Sequence, residues 1–174
     1  MYILGLDIST SKIGYSVIDY NSNLIDCQVI KLNSKDSLEK RARLFQSEMS
    51  LLWEKHEGIK HVFVEQPFMA FSGGRTTAAT MAKLQRFNGM CCYGIYNIFG
   101  SAPVHVSANQ ARSSVGIKRK RGEDIKKKVV EWVQANYPKD FIVEYTRFGN
   151  PKPGTDDKAD AVIVALSGKK TLDK

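Results

Sequence analysis

The amino-acid sequence predicts an α/β fold with a five-stranded mixed sheet. Short runs rich in Ile, Val, Leu and Tyr recur at residues 2–7, 12–20, 23–32, 60–65 and 103–106. Segments whose apolar residues follow helical spacing alternate with the later runs. Three strands, then helix, strand, helix, strand and helix is an α/β layout.

The first three runs read as strands, and the turn Asn21-Ser22-Asn23 joins the second and third as a hairpin. Gly14 suggests a close backbone approach near the first turn. Residues 37–57 predict a helix, because Leu38, Ala42, Phe45, Met49 and Leu52 share one face and Gly58 stops it. The strand at 60–65 ends in Glu65, and Phe71-Ser72-Gly73-Gly74 reads as a flexible loop. From Thr76 to Phe99 runs a long helix whose second half is apolar almost all round, so it needs cover on more than one side. After the fifth strand, Ser107 caps a short helix at 108–114, and a basic loop leads to a helix at 122–136. Residues 139–154 are irregular. A last helix spans 155–166, in a single domain covering 1–168, and 169–174 is expected to be a flexible tail.

With 174 residues, 43% hydrophobic and 25% charged, the chain suits one globular domain with a substantial core. No apolar run reaches the ~20 residues of a membrane span. The N-terminus lacks the pattern of a signal peptide, and the expectation is a cytoplasmic protein with no membrane partner. Cys27, Cys91 and Cys92 are too few and too poorly spaced for a disulfide framework or a metal pair, which leaves structural thiols in a reduced compartment. His56, His61 and His105 likewise lack metal spacing. The net charge of +8 is localised: residues 112–128 hold eight basic and two acidic side chains. Such a concentration is the electrostatic footprint of a polyanion binder.

Four carboxylates stand out against this background. Asp7 follows the apolar run Tyr2-Ile3-Leu4-Gly5-Leu6, and Glu65 follows His61-Val62-Phe63-Val64. Asp157 and Asp160 open the apolar segment 161–166 and, three apart, share a helix face. A carboxylate at the end of a buried strand is costly to desolvate unless a cation or hydrogen bonds compensate it. Carboxylate oxygens suit Mg²⁺, a hard cation. A lone strand-end Asp is more often a turn former, and Asp156 and Asp157 could simply favour the positive end of a helix dipole. The set of four is what suggests a shared metal site.

Taken in order along nearly the whole chain, Leu4-Gly5-Leu6-Asp7, Val64-Glu65-Gln66-Pro67-Phe68 and Asp157-Lys158-Ala159-Asp160-Ala161 resemble the carboxylate motifs of the RuvC family of Holliday-junction resolvases. Ser107-Ala108-Asn109-Gln110-Ala111-Arg112, followed by Val115-Gly116-Ile117, resembles the segment after that family's fifth strand. The chain looks most like the compact RuvC-like endonucleases of some phages, which would place it in the bacterial host cytoplasm. The resemblance implies a ribonuclease H-like fold, helices on both faces of the sheet, and Asp7, Glu65, Asp157 and Asp160 as catalytic metal ligands. It selects Asp157 over Asp156, because only Asp157 has the family's spacing to Asp160. It further implies two Mg²⁺ ions per site, with Mn²⁺ as a possible substitute, and hydrolysis leaving a 5′-phosphate and a 3′-hydroxyl.

The substrate implied is branched DNA: four-way junctions, forks and flaps. Phe68 sits where the family places an aromatic that stacks near the branch point, and Phe71 could substitute for it. Lys118, Arg119, Lys120 and Arg121 are expected phosphate contacts, with Lys118 and Lys120 matching the family best and Arg112 and Lys126 as secondary candidates. A homodimer through the 76–99 helix would match the two-fold symmetry of a junction. One departure is visible: Ile8-Ser9-Thr10-Ser11 stands where the family usually has Pro-Gly after its first Asp. Two other readings compete, a catalytically silent branched-DNA-binding protein and a ribonuclease H acting on RNA–DNA hybrids.

Overall fold

The computed structural model describes residues 1–67 and 77–173. Its centre is a five-stranded sheet in the order β3-β2-β1-β4-β5. The strands are β1 Tyr2–Ile8, β2 Lys12–Asp19, β3 Leu24–Lys31, β4 Ile59–Glu65 and β5 Val104–Val106. The first three form an antiparallel meander, and β4 and β5 join β1 in parallel. A mixed sheet results, as expected, with Ser22 at positive φ in the β2–β3 turn.

Helices cover both faces. On one side lie α1 (Leu38–Lys55) and α2 (Ala78–Phe99). On the other lie α3 (Ala108–Ser114), α4 (Ile125–Asn136) and α5 (Thr155–Leu172). Successive strand residues point to opposite faces. Leu4, Leu6, Ile8, Val62 and Val64 therefore join Phe45, Met49, Phe87 and Ile95 in the core beneath α1 and α2. Ile3 and Phe63 instead join Val129, Val133, Phe141 and the buried residues of α5. The same alternation carries Gly5 and Asp7 of β1, and Glu65 of β4, onto the α5 side.

Side-chain caps fix the helix starts, and the cap at Asp124 begins α4 at Ile125 rather than at 122. Ser37, Thr77, Ser107 and Asp124 each accept backbone N–H groups of the first turn. The largest difference concerns α5, which does not stop at 166 but runs on to Leu172. Thr171 Oγ1 donates to the Ser167 carbonyl, and Lys169 pairs with Asp173 four residues on, so the expected tail is held as helix to Leu172. The second half of α2 also differs from an all-round apolar helix. Phe87, Cys91 and Ile95 are buried, whereas Tyr93 and Tyr96 face outward. Cys27, Cys91 and Cys92 are free, and burial pushes the Cys27 thiol up to about 12. Among the described residues no helix is long and apolar enough to cross a membrane.

Two glycines decide how α5 meets the sheet. A Cβ on Gly5 would overlap the Ala161 carbonyl and come within 2.7 Å of Ala165 N. One on Gly14 would overlap the Asp157 carbonyl. Without side chains at these points, α5 settles onto the backbone of β1 and β2. Ser16 Oγ completes the seat by donating to the Ala161 carbonyl at 2.9 Å.

Candidate active site

Asp7 and Glu65 sit at the C-terminal ends of adjacent parallel strands, one residue beyond the register pair Leu6–Val64. Asp7 is also paired across β2 with Gly14, the glycine on which the Asp157 backbone rests. The first turns of α5 thus lie directly over the strand that bears Asp7. Asp157 and Asp160, 8% and 6% exposed, sit on the buried side of those turns.

The carboxylates feel one another. Burial, and then the charges of Glu65, Asp160 and Asp157, hold the Asp7 carboxyl well above the usual carboxylate range. Burial, reinforced by Asp160, raises Glu65 to about 7 against the pull of Arg112 and Lys126. Burial raises Asp160 to about 6, again opposed by Arg112 and Lys126. Like charges crowded away from water produce this pattern.

Hydrogen bonding leaves the site open to a cation. Glu65 Oε2, Asp157 Oδ2 and Asp160 Oδ1 are buried without a hydrogen-bond donor. Lys12 Nζ lies 2.9 Å from Asp157 Oδ2, an ion pair whose geometry is not that of a hydrogen bond. Buried acceptors with no donor are costly, and a hard cation satisfies them with the oxygen ligands it prefers. The residues present therefore fit a divalent ion. Among the described residues no three His, Cys, Asp or Glu side chains are drawn together as a ready-made cage.

Asp156 is occupied elsewhere, with Lys126 Nζ 2.6 Å from its Oδ2. Lys126 gains proton affinity chiefly from that hydrogen bond, and its charge also reaches Asp7, Glu65 and Asp160. Arg112, at the end of α3, has a buried Nε without a partner and acts on Glu65 and Asp160. It lines a cleft with Glu65, Gln66, Pro67, Ser107, Asn109 and Arg119. Lys118, Lys120 and Arg121 are exposed on the same basic loop. Arg112 and Lys126 act on the carboxylates through their charge, and Lys12 through its ion pair with Asp157. Phe68 and Phe71 lie outside the described residues.

Lys12 is the residue that sequence reasoning missed. Its only signal is its place at the start of β2, on the strand that pairs with Asp7. The turn before it shows how Ile8-Ser9-Thr10-Ser11 replaces Pro-Gly. Ser9 Oγ accepts from Lys12 N–H at 3.1 Å and donates to the Lys12 carbonyl at 2.7 Å. Buried Arg41 of α1 donates to the carbonyls of Thr10, Ser34 and Asp36. The turn is thus closed by Ser9 and tied to α1 by Arg41.

No family model matches the chain. A protein of Finegoldia magna named crossover junction endodeoxyribonuclease RuvC is 28% identical over 170 residues, which are 95% of this chain and 91% of that protein. Its namesake from Aliarcobacter butzleri is 31% identical over 104 residues, 58% of this chain and 63% of that one. The structure of Thermus thermophilus RuvC in complex with a Holliday junction substrate superposes with a TM-score of 0.71, covering 99% of this chain and 95% of that one at 15% identity. Along nearly its whole length the chain is similar to crossover junction endodeoxyribonucleases named RuvC. This RuvC-like chain thus shares the ribonuclease H-like fold, and its four carboxylates stand on β1, β4 and α5 of that fold.

Proposed function

We propose that this RuvC-like chain is a divalent-cation-dependent endodeoxyribonuclease that cuts four-way junctions and related branched DNA. One observation carries the reading. Glu65, Asp160 and Asp157, from β4 and α5, all act on the Asp7 carboxyl of β1, and Glu65 Oε2, Asp157 Oδ2 and Asp160 Oδ1 are buried without a hydrogen-bond donor. A protein that only binds DNA gains nothing from such a patch beside phosphates, which argues against the silent binder.

Asp7, Glu65, Asp157 and Asp160 would hold the cations, two in this reading, with Mg²⁺ as the natural ion and Mn²⁺ as a substitute. When bound there, the ions supply Lewis-acid stabilisation of the charge that builds on the scissile phosphate. The chain's own cations do the positioning. Arg112, in the cleft beside Glu65, and Lys126, held out by Asp156, present positive charge toward the patch where a phosphate would enter. Lys118, Arg119, Lys120 and Arg121 would hold the backbone farther out. Water adds to phosphorus as the bond to the 3′ oxygen breaks, leaving a 5′-phosphate and a 3′-hydroxyl.

The deciding assay incubates the protein with a four-way junction, a flap, a fork, a linear duplex and an RNA–DNA hybrid, with Mg²⁺ or with EDTA. Nicking of branched DNA that requires Mg²⁺ is expected. Binding without nicking would support the silent binder, and cutting confined to the hybrid would support a ribonuclease H.

A homodimer through α2 is part of the same proposal. Gly89, Tyr93 and Tyr96 follow the spacing of one helical stripe. Tyr93 is 65% exposed and Tyr96 53%, and the space over Gly89 is open. The wild type is expected to sediment as a dimer at micromolar concentration and the Tyr93→Glu, Tyr96→Glu double variant as a monomer. A monomeric wild type that still makes paired cuts would refute the symmetric arrangement.

A further inference from the structure

Residues 144–152, which read from sequence as irregular, fold back into a short hydrogen-bonded turn. Lys152 N–H donates to the Glu144 carbonyl and Thr146 N–H to the Asn150 carbonyl, both at 2.8 Å. Gly149 N–H donates to the Thr146 carbonyl at 3.0 Å, and Tyr145 bridges antiparallel to Pro151. At the tip Phe148 is 74% exposed, with the Arg147 guanidinium 4.5 Å from its ring centroid. Tyr145, one turn back, is also exposed.

A single exposed apolar side chain needs no explanation. Here two aromatics and an arginine are displayed on a fixed turn, and that turn stands between two grooves. One groove is lined by Lys12, Lys31, Lys152 and Lys158, with Glu144 the only acid among its lining residues. The other, lined by Lys126, Lys127, Lys152 and Tyr145 with Asp124, Glu131 and Asp156, is balanced in charge, so the first groove is the positive one. Both reach Thr155, two residues before Asp157. A positive groove flanked by an aromatic platform is the arrangement that holds unpaired nucleic acid, through phosphate contacts and base stacking. Of these lysines, Lys126 and Lys127 belong to the basic 112–128 stretch, and Lys12, Lys31, Lys152 and Lys158 do not.

We propose that the 144–152 turn is a second DNA-contacting element, with Phe148 stacking on an unpaired base at the branch while Lys31 and Lys158 hold the phosphates of an arm leaving past β3. This rests on the branched-DNA reading above. The lysine-rich groove favours a polyanion over a second protein copy as its occupant.

The test compares wild type, Phe148→Ala and Phe148→Trp for binding to a four-way junction and to a linear duplex of the same length, in Ca²⁺ to prevent cutting. Phe148→Ala is expected to weaken junction binding about ten-fold and leave duplex binding unchanged, and Phe148→Trp to retain wild-type affinity. Equal affinities of all three proteins for the junction, or equal losses on junction and duplex, would overturn the stacking role. A wild type that does not prefer the junction at all would instead overturn the branched-DNA reading itself. For the lysines, Lys31→Ala should make the salt dependence of junction binding shallower by about one unit of slope, and an unchanged slope would remove Lys31 from the proposed path.

Discussion

Asp7→Asn is expected to abolish DNA cleavage and, in EDTA, to raise the melting temperature. The loss of activity should exceed about a thousand-fold, because Asp7 is the strand-end carboxylate flanked by all three others. The gain in stability follows from the sign of the pKa shifts. Glu65 at about 7 and Asp160 at about 6 hold protons in the folded protein that the unfolded chain releases nearer pH 4. Between those limits the native state binds more protons, so stability falls as pH rises from about 4 through 7. Asn at position 7 carries no charge, so neither burial nor the charges of Glu65, Asp160 and Asp157 oppose it as they oppose the Asp7 carboxylate, a gain of about 1–2 kcal/mol, or roughly 2–8 °C. Two scans of melting temperature check this. In EDTA the wild type should soften between pH 5 and 7.5 more than Asp7→Asn does. Saturating Mg²⁺ should stabilise the wild type and barely move the variant. A variant less stable than wild type in EDTA at pH 7.5 would mean that the four carboxylates are not mutually repulsive in solution.

The parts of this site that were legible in the sequence are those governed by local periodicity. A strand alternates its faces every residue, so a terminal Asp after Ile3-Leu4-Gly5-Leu6 and a terminal Glu after His61-Val62-Phe63-Val64 could be placed at strand ends before any coordinates. The three-residue spacing of Asp157 and Asp160 put both on one side of a helix in the same way. Pairing between distant segments was not legible. Lys126 is thirty residues from Asp156, and Lys12 lies farther still from Asp157, so neither ion pair leaves a local trace. The reach of Arg112 toward the carboxylates was hidden for the same reason. Arg112 is forty-seven residues from Glu65 and forty-eight from Asp160, yet its charge acts on both, and its Nε is buried. The length of α5 was misjudged because Gly168 and the polar residues after it read as a stop. In the fold, a Cβ at Gly168 would strike the Phe63 ring, so this glycine is a packing requirement inside a continuing helix.

Gly14→Ala tests whether the seating of α5 controls the chemistry. The added methyl would collide with the Asp157 carbonyl and its carbon, both backbone atoms that no rotamer change can move aside. Gly14 lies mid-sheet, bonded to Asp7 on one side and Val29 on the other, so the strand cannot retreat. The first turn of α5 must lift, and Asp157 and Asp160 with it, while Asp7 and Glu65 stay on the sheet. A displacement of ~1 Å between catalytic groups costs on the order of a hundred-fold in rate. We expect kcat on a four-way junction to fall by about that factor, with junction affinity kept within about three-fold, since the basic loop at 118–121 and the 144–152 turn are untouched. Overpacking of this kind also costs roughly 1–3 kcal/mol of stability. Gly5→Ala is the comparison that separates the two effects. Its methyl meets the helix at Ala161 and Ala165, beyond the carboxylates. It should cost as much stability as Gly14→Ala and leave a larger share of kcat. Equal losses of kcat in the two variants would show that α5 moves as one rigid rod, and that its N-terminal turn has no special grip on the site.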